Sequence, residues 1–123
     1  MQPKIATGQD EVKVKAELEA LVNGGWQLDN EEIQLEKTYH LASYRNVKFL
    51  AIEIMSRSQL KNHHPVLTST FSSVTVHWTT HSPRGLSDKD TFMAKYCDRA
   101  ANSIGTVNPE ESKKCGSVQS SQI

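Results

Sequence analysis

Val66 to His81 runs VLTSTFSSVTVHWTTH, and β-branched residues dominate it: Val66, Thr68, Thr70, Val74, Thr75, Val76, Thr79 and Thr80. Side chains branched at Cβ suit a pleated, half-buried surface, so the segment predicts two strands with a turn near Ser72-Ser73. Successive side chains of a strand point to opposite faces. Val74, Val76 and Trp78 therefore share one face, while Thr75, His77, Thr79 and His81 share the other. Such a sheet needs cover on its apolar face, and its other face must be polar or covered by another subunit.

The cover lies on both flanks. Upstream, Ser43 is an N-cap for a helix running to about Leu60, on which Tyr44, Val47, Phe49, Leu50, Ile54 and Met55 form a wide apolar stripe. This helix is expected to be the most buried element. Lys61-Asn62-His63-His64-Pro65 ends it, because proline keeps the residue before it out of the α region. Downstream, Ser82-Pro83-Arg84-Gly85 reads as a loop. Ser87 then caps a third helix with core residues Phe92, Met93, Tyr96, Ala100 and Ile104, closed by Gly105. Toward the N-terminus, Val14, Leu18, Leu21 and Val22 recur at helical spacing over residues 10–23, and Asn23-Gly24-Gly25 supplies a left-handed stop. Trp26 to Leu28 starts a short strand and Asp29-Asn30 is a turn signal. Ile33, Leu35, Lys37, Tyr39 and Leu41 alternate with polar residues, completing a hairpin.

The order α-β-β-α-β-β-α implies an α+β two-layer domain over residues 10–105, a four-stranded antiparallel sheet with three helices on one face. Residues 1–9 are expected to be a flexible arm. Residues 106–123 turn polar and serine-rich (ESKKCGSVQSSQI at the end) and are expected to be a disordered tail.

Composition bounds the function. The 123 residues carry fourteen Lys+Arg against fourteen Asp+Glu, for a formal charge of zero. Nucleic-acid binders usually carry a basic excess, so direct nucleic-acid binding is not expected. No window approaches eighteen apolar residues, and MQPKIATGQD holds no apolar run of the secretory kind, so neither a membrane span nor a leader is expected. Cys97 and Cys115 fit no metal or disulfide pattern and read as free thiols of a reducing, cytoplasmic compartment.

Histidine stands out. Four of the five (His63, His64, His77, His81) lie within nineteen consecutive positions. His77 and His81 would be a zinc pair on a helix. On a strand, four steps of about 3.3 Å separate them by roughly 13 Å, too far for one ion, so no metal is expected. Acid–base chemistry is the alternative, since imidazole exchanges protons near neutral pH. His63 and His64 sit where a helix stops and a strand starts, and His81 where the last strand stops, so the three can converge at one rim. Asp90 could orient or charge one of them, although Ser87-x-x-Asp90 is also a capping-box variant. His40 and His77 read as scaffold.

The spacing of Lys61-Asn62-His63-His64-Pro65, Phe71, Thr80-His81 and Gly85-Leu86-Ser87-x-x-Asp90, with Gly25-Trp26 after the first helix, resembles that of the pterin-4a-carbinolamine dehydratases. The resemblance covers roughly residues 10–104. It implies removal of water from 4a-hydroxytetrahydropterin to give quinonoid dihydropterin in tetrahydrobiopterin recycling, with no cofactor. His63 and His81 correspond to the proton-transferring pair, His64 to the pterin-positioning histidine and Asp90 to the acid of the site. Pro65, Thr80, Gln59, Phe71 and Trp26 complete the implied substrate contacts. Gln59 stands where the family often has Glu, Phe71 where many members have Tyr, and Asn62 where Asp is common. The resemblance also implies a homo-oligomer, dimer or tetramer. The alternative it leaves is a non-catalytic binding or assembly module, or a dimerisation cofactor for a transcription factor, in which case a nuclear location joins the cytoplasmic one.

Overall fold

A computed structural model of the chain describes residues 1–112. The first helix, α1 (Glu11–Asn23), starts where Asp10 accepts the Lys13 N–H. It buries Val14, Leu18 and Leu21. It ends at Asn23, as expected. Gly24 lies at φ −88°, and Gly25, at φ +107°, is the one that takes the conformation closed to side chains. Strands β1 (Gln27–Leu28) and β2 (Leu35–His40) form the first hairpin.

Ser43 caps α2 (Tyr44–Lys61) by accepting the Asn46 N–H. Asn62 closes the helix in the left-handed region at φ +52°. Asparagine tolerates that conformation better than most residues, so its place in the motif has a backbone reason. The second hairpin pairs β3 (Val66–Ser69) with β4 (Ser73–Trp78). Its turn spans residues 70–72, slightly earlier than expected, because Thr70 Oγ1 accepts the Ser72 N–H and bonds Ser73 Oγ. The sheet is antiparallel in the order β1-β2-β4-β3, with Leu35 opposite Trp78 and Val66 opposite His77.

The expected α+β architecture is present: four antiparallel strands, helices on the face that carries Leu35, Tyr39, Val74, Val76 and Trp78, and a polar opposite face. The last helix, α3 (Asp88–Ile104), packs against α1, α2, β2 and β4. Met93, Ala94, Cys97 and Ala101 supply its core contacts. No helix among the described residues is long and apolar enough to cross a membrane.

Three expectations are corrected. Helix α2 is not the most buried element. Its covered stripe is Val47, Leu50, Ile54 and Ser58, spaced at three and four residues, while Tyr44, Phe49, Ile52 and Met55 are each at least 41 % exposed. A helix on one sheet face can bury only one such stripe. The stretch after β4 is not a loop. Strands β5 (Thr80–His81) and β6 (Arg84–Gly85) make a small separate hairpin. The N-terminal arm is not loose: Lys4 and Ala6 exchange backbone hydrogen bonds with Leu86, and Ala6 is buried. Gly85 permits this crossing, because a Cβ there would lie 2.8 Å from the Ala6 nitrogen.

The start of the expected tail is also held. The Val107 N–H donates to the His40 carbonyl, and Ser112 Oγ, buried, donates to the Ser72 carbonyl. Residues 113–123, including Cys115, lie outside the described residues.

Candidate active site

The end of α2, the start of β5 and the first turn of α3 meet around His63. The His63 N–H donates to the Ser58 carbonyl, five residues back. This wrap, with Asn62 left-handed, brings the imidazole back under the sheet. His63 is 9 % exposed, and its Nε2 lies 2.6 Å from Oδ1 of the fully buried Asp90.

Asp90 is held from its other oxygen. Oδ2 accepts the Ser87 N–H at 2.9 Å and Thr80 Oγ1 at 2.8 Å, and Thr80 and Ser87 hydroxyls lie 2.7 Å apart. The capping box and the histidine contact therefore coexist on one carboxylate, with Oδ2 serving the helix and Oδ1 the imidazole. A carboxylate with these donors offers only lone pairs, so Nε2 is the protonated ring nitrogen. Nδ1 has no partner among the described residues.

The ring also has a wall. The Trp78 indole is stacked on the His63 imidazole, with centroids 5.7 Å apart and planes 15° off parallel. Trp78 is fully buried, and its Nε1–H has no nitrogen or oxygen acceptor. It faces the Cys97 thiol.

His64 and Pro65 continue from His63 along the surface, with His64 exposed and Pro65 half-buried. His81 is exposed on β5, next to the Thr80 that binds Asp90. Gln59 is exposed on the last turn of α2. Phe71 lies in the turn beyond the far end of β3, a strand's length from Pro65, so it is not brought to His63. Nor is Trp26, which the resemblance placed against substrate. It is buried, and its indole N–H donates to Asp98 instead, because Asp98 on α3 also gathers Lys37 at 2.9 Å and the Tyr39 hydroxyl at 2.6 Å.

The scaffold histidines sit elsewhere. His77 Nδ1 is 2.8 Å from Gln34 Nε2 on the open sheet face, and His40 lies at the end of β2. Among the described residues, no group of three or more His, Cys, Asp or Glu side chains is arranged to hold a metal ion. Sequence reasoning passed over Ser87 as more than a cap and Trp78 as more than core. The Ser87-x-x-Asp90 spacing carried the first signal, whereas Trp78 reads like any apolar strand residue.

Residues 7–100 match the sequence pattern of the family described as pterin 4 alpha carbinolamine dehydratase. The chain belongs to the pterin 4 alpha carbinolamine dehydratase family. A relative from Aquifex aeolicus, provisionally named pterin-4-alpha-carbinolamine dehydratase, is 33 % identical over 76 % of this chain and 91 % of its own. A second, from Gloeobacter violaceus and named in the same way, is 31 % identical over 60 % of this chain, and the match spans 64 % of that protein.

Two solved structures share the fold of this dehydratase-family chain. One, from Brucella melitensis, is described as a transcriptional coactivator/pterin dehydratase. It superposes with TM-score 0.64 at 19 % identity, covering 71 % of this chain and 95 % of that one. The other is described as a pterin dehydratase-like RuBisCO assembly factor of the alpha-carboxysome, with TM-score 0.55 at 15 % identity over 63 % of this chain and 89 % of that one.

Proposed function

We propose that this chain is a 4a-hydroxytetrahydropterin dehydratase in which His63, His64, His81 and Asp90 carry the site. The observation that supports it most is the buried His63–Asp90 pair, with Asp90 locked by Ser87 and Thr80. A carboxylate fixed in this way holds one tautomer of the imidazole and sets its orientation.

Dehydration needs two proton transfers. The C4a–O bond breaks and the hydroxyl leaves as water after gaining a proton, while a ring N–H gives up its proton. In this reading His63, committed at Nε2 to Asp90, exchanges a proton through Nδ1, and His81 performs the opposite transfer. His64 and Pro65 position the pterin, with Thr80 holding the edge of the site. Neither transfer calls on a redox cofactor.

A stopped-flow assay with enzymatically generated carbinolamine tests the assignment. The double substitution His63→Ala with His81→Ala is expected to fall to the spontaneous rate. A double variant as fast as the wild type would remove the histidines from the chemistry.

The second reading is a non-catalytic binding or assembly role. Gln59, exposed where the family often carries a charged Glu, favours it, as does the existence of a chain of the same fold described as an assembly factor. It predicts no rate above the spontaneous one and no gain from Gln59→Glu.

A further inference from the structure

The apolar face of β4 asks only for apolar side chains, and Val74 and Val76 satisfy it without cost. Trp78, on the same face, brings a buried indole N–H whose neighbour is a thiol, a weak acceptor. A leucine or phenylalanine would fill the core without that unpaired donor. Burial alone therefore does not account for tryptophan at this position. Its ring face does something a simple core residue would not, and what lies on that face is His63.

The Asp90 contact fixes one atom of the imidazole. The outer torsion of histidine is broad, so a ring held at Nε2 alone can still swing about that bond. A near-parallel aromatic plane removes the remaining freedom. Trp78 is itself fully buried, set in register opposite Leu35 at the end of the β2–β4 ladder. From these constraints we infer that Trp78 is a positioning residue for His63, its indole face setting the imidazole plane so that Nε2 meets Asp90 while Nδ1 is presented for proton exchange. This rests on the reading of His63 as a proton-transferring group.

Two measurements test it. In the wild-type protein, the carbon-bound ring protons of His63 are expected upfield of those of exposed His64 and His81, with ring nitrogen shifts of a single Nε2–H tautomer. Trp78→Phe, which keeps an aromatic face, is expected to preserve that signature and to hold kcat within about twofold. Trp78→Leu is expected to lose it and to lower kcat about tenfold with KM nearly unchanged, as misorientation of a reacting group does.

The absence of an upfield shift in the wild type overturns the proposal. So does a folded Trp78→Leu protein with an unchanged rate. Should Trp78→Leu fail to fold, the wild-type spectrum and Trp78→Phe still decide. A wild type with the stacked signature but no dehydratase rate would instead sink the proposed function.

Discussion

Nε2 of His63 and Oδ1 of Asp90 stand 2.6 Å apart in the interior, between a helix end and a helix start. The contact ties the C-terminus of α2 to the N-terminus of α3. Asp90 is thus at once a cap, a clamp on the β5 threonine and the orienting partner of an imidazole.

These duties can be separated by substitution. Asp90→Asn keeps an oxygen acceptor for the helix terminus but removes the charge facing His63. It is expected to leave the fold intact and to lower kcat on the order of 10²-fold, within the range general acid–base groups supply. Asp90→Ala should lose the same rate and in addition about 1–3 kcal/mol of stability, because the Ser87 N–H, the Thr80 hydroxyl and the His63 Nε2–H lose their buried acceptor. Carbinolamine kinetics beside urea titrations distinguish the two. An Asp90→Asn protein of wild-type rate would reduce Asp90 to a cap.

Asp98 organises a second polar cluster away from the histidines. It accepts from Trp26, Lys37 and Tyr39, and the Lys37 ammonium lies over both aromatic rings, 5.8 and 5.2 Å from their centroids. Removing the carboxylate leaves the donors of buried Trp26 and Tyr39 without their acceptor, and Lys37 with the Gly24 carbonyl in its place. Asp98→Ala is expected to cost about 2–4 kcal/mol, seen as a lower urea midpoint. Because Asp98 lies apart from His63, the rate of the folded protein should stay within about twofold, surface and scaffold changes being largely additive with the site. A large rate loss at wild-type stability would place this cluster in the chemistry.

Much of this was readable in the residues because local signals agreed. Ser43 and Ser87 start their helices as their type predicts, and the alternation of Val74, Val76 and Trp78 sets the covered sheet face. Histidine spacing also led to the α2–β3 junction. What escaped depended on tertiary context. Nothing in Tyr44, Phe49 or Met55 says which side of α2 the sheet takes. The Trp26 indole is matched to the motif by sequence, but its partner Asp98 lies 72 residues away. The arm at Lys4–Ala6 shows no periodicity, because it forms a single bridge to Leu86 rather than a strand.

Gly85 makes that bridge possible. Its φ of +137° is closed to other residues, and an added Cβ would press on backbone, not on a flexible side-chain tip. Gly85→Ala is expected to destabilise the protein by about 1–3 kcal/mol. It should also free residues 1–9, which faster amide exchange at Ala6 and Leu86 would report. Unchanged protection at both amides would mean that the arm is held by something other than this crossing.

Alkaline pH reports the interior behind Trp78. Burial pushes the Cys97 thiol up to about 12, with the Trp78 N–H pulling the other way, and burial likewise raises the Tyr39 hydroxyl, reinforced by Cys97 and Asp98. Both groups bind their protons more tightly in the folded state than in the unfolded chain. The Cys97 contribution to stability is therefore complete below the unfolded thiol pKa of 9.0 and is lost as pH climbs from there toward 12, while that of Tyr39 is complete below 10.0 and is lost as pH climbs above it. Unfolding free energy should fall above pH 9, steepening toward about 1.4 kcal/mol per pH unit for each group. Between pH 7 and 9, Cys97 should resist alkylation in the native protein and react at once in urea. Rapid native labelling of Cys97 at pH 8 would show that the thiol is neither buried nor protonated as the packing of α3 on β4 requires.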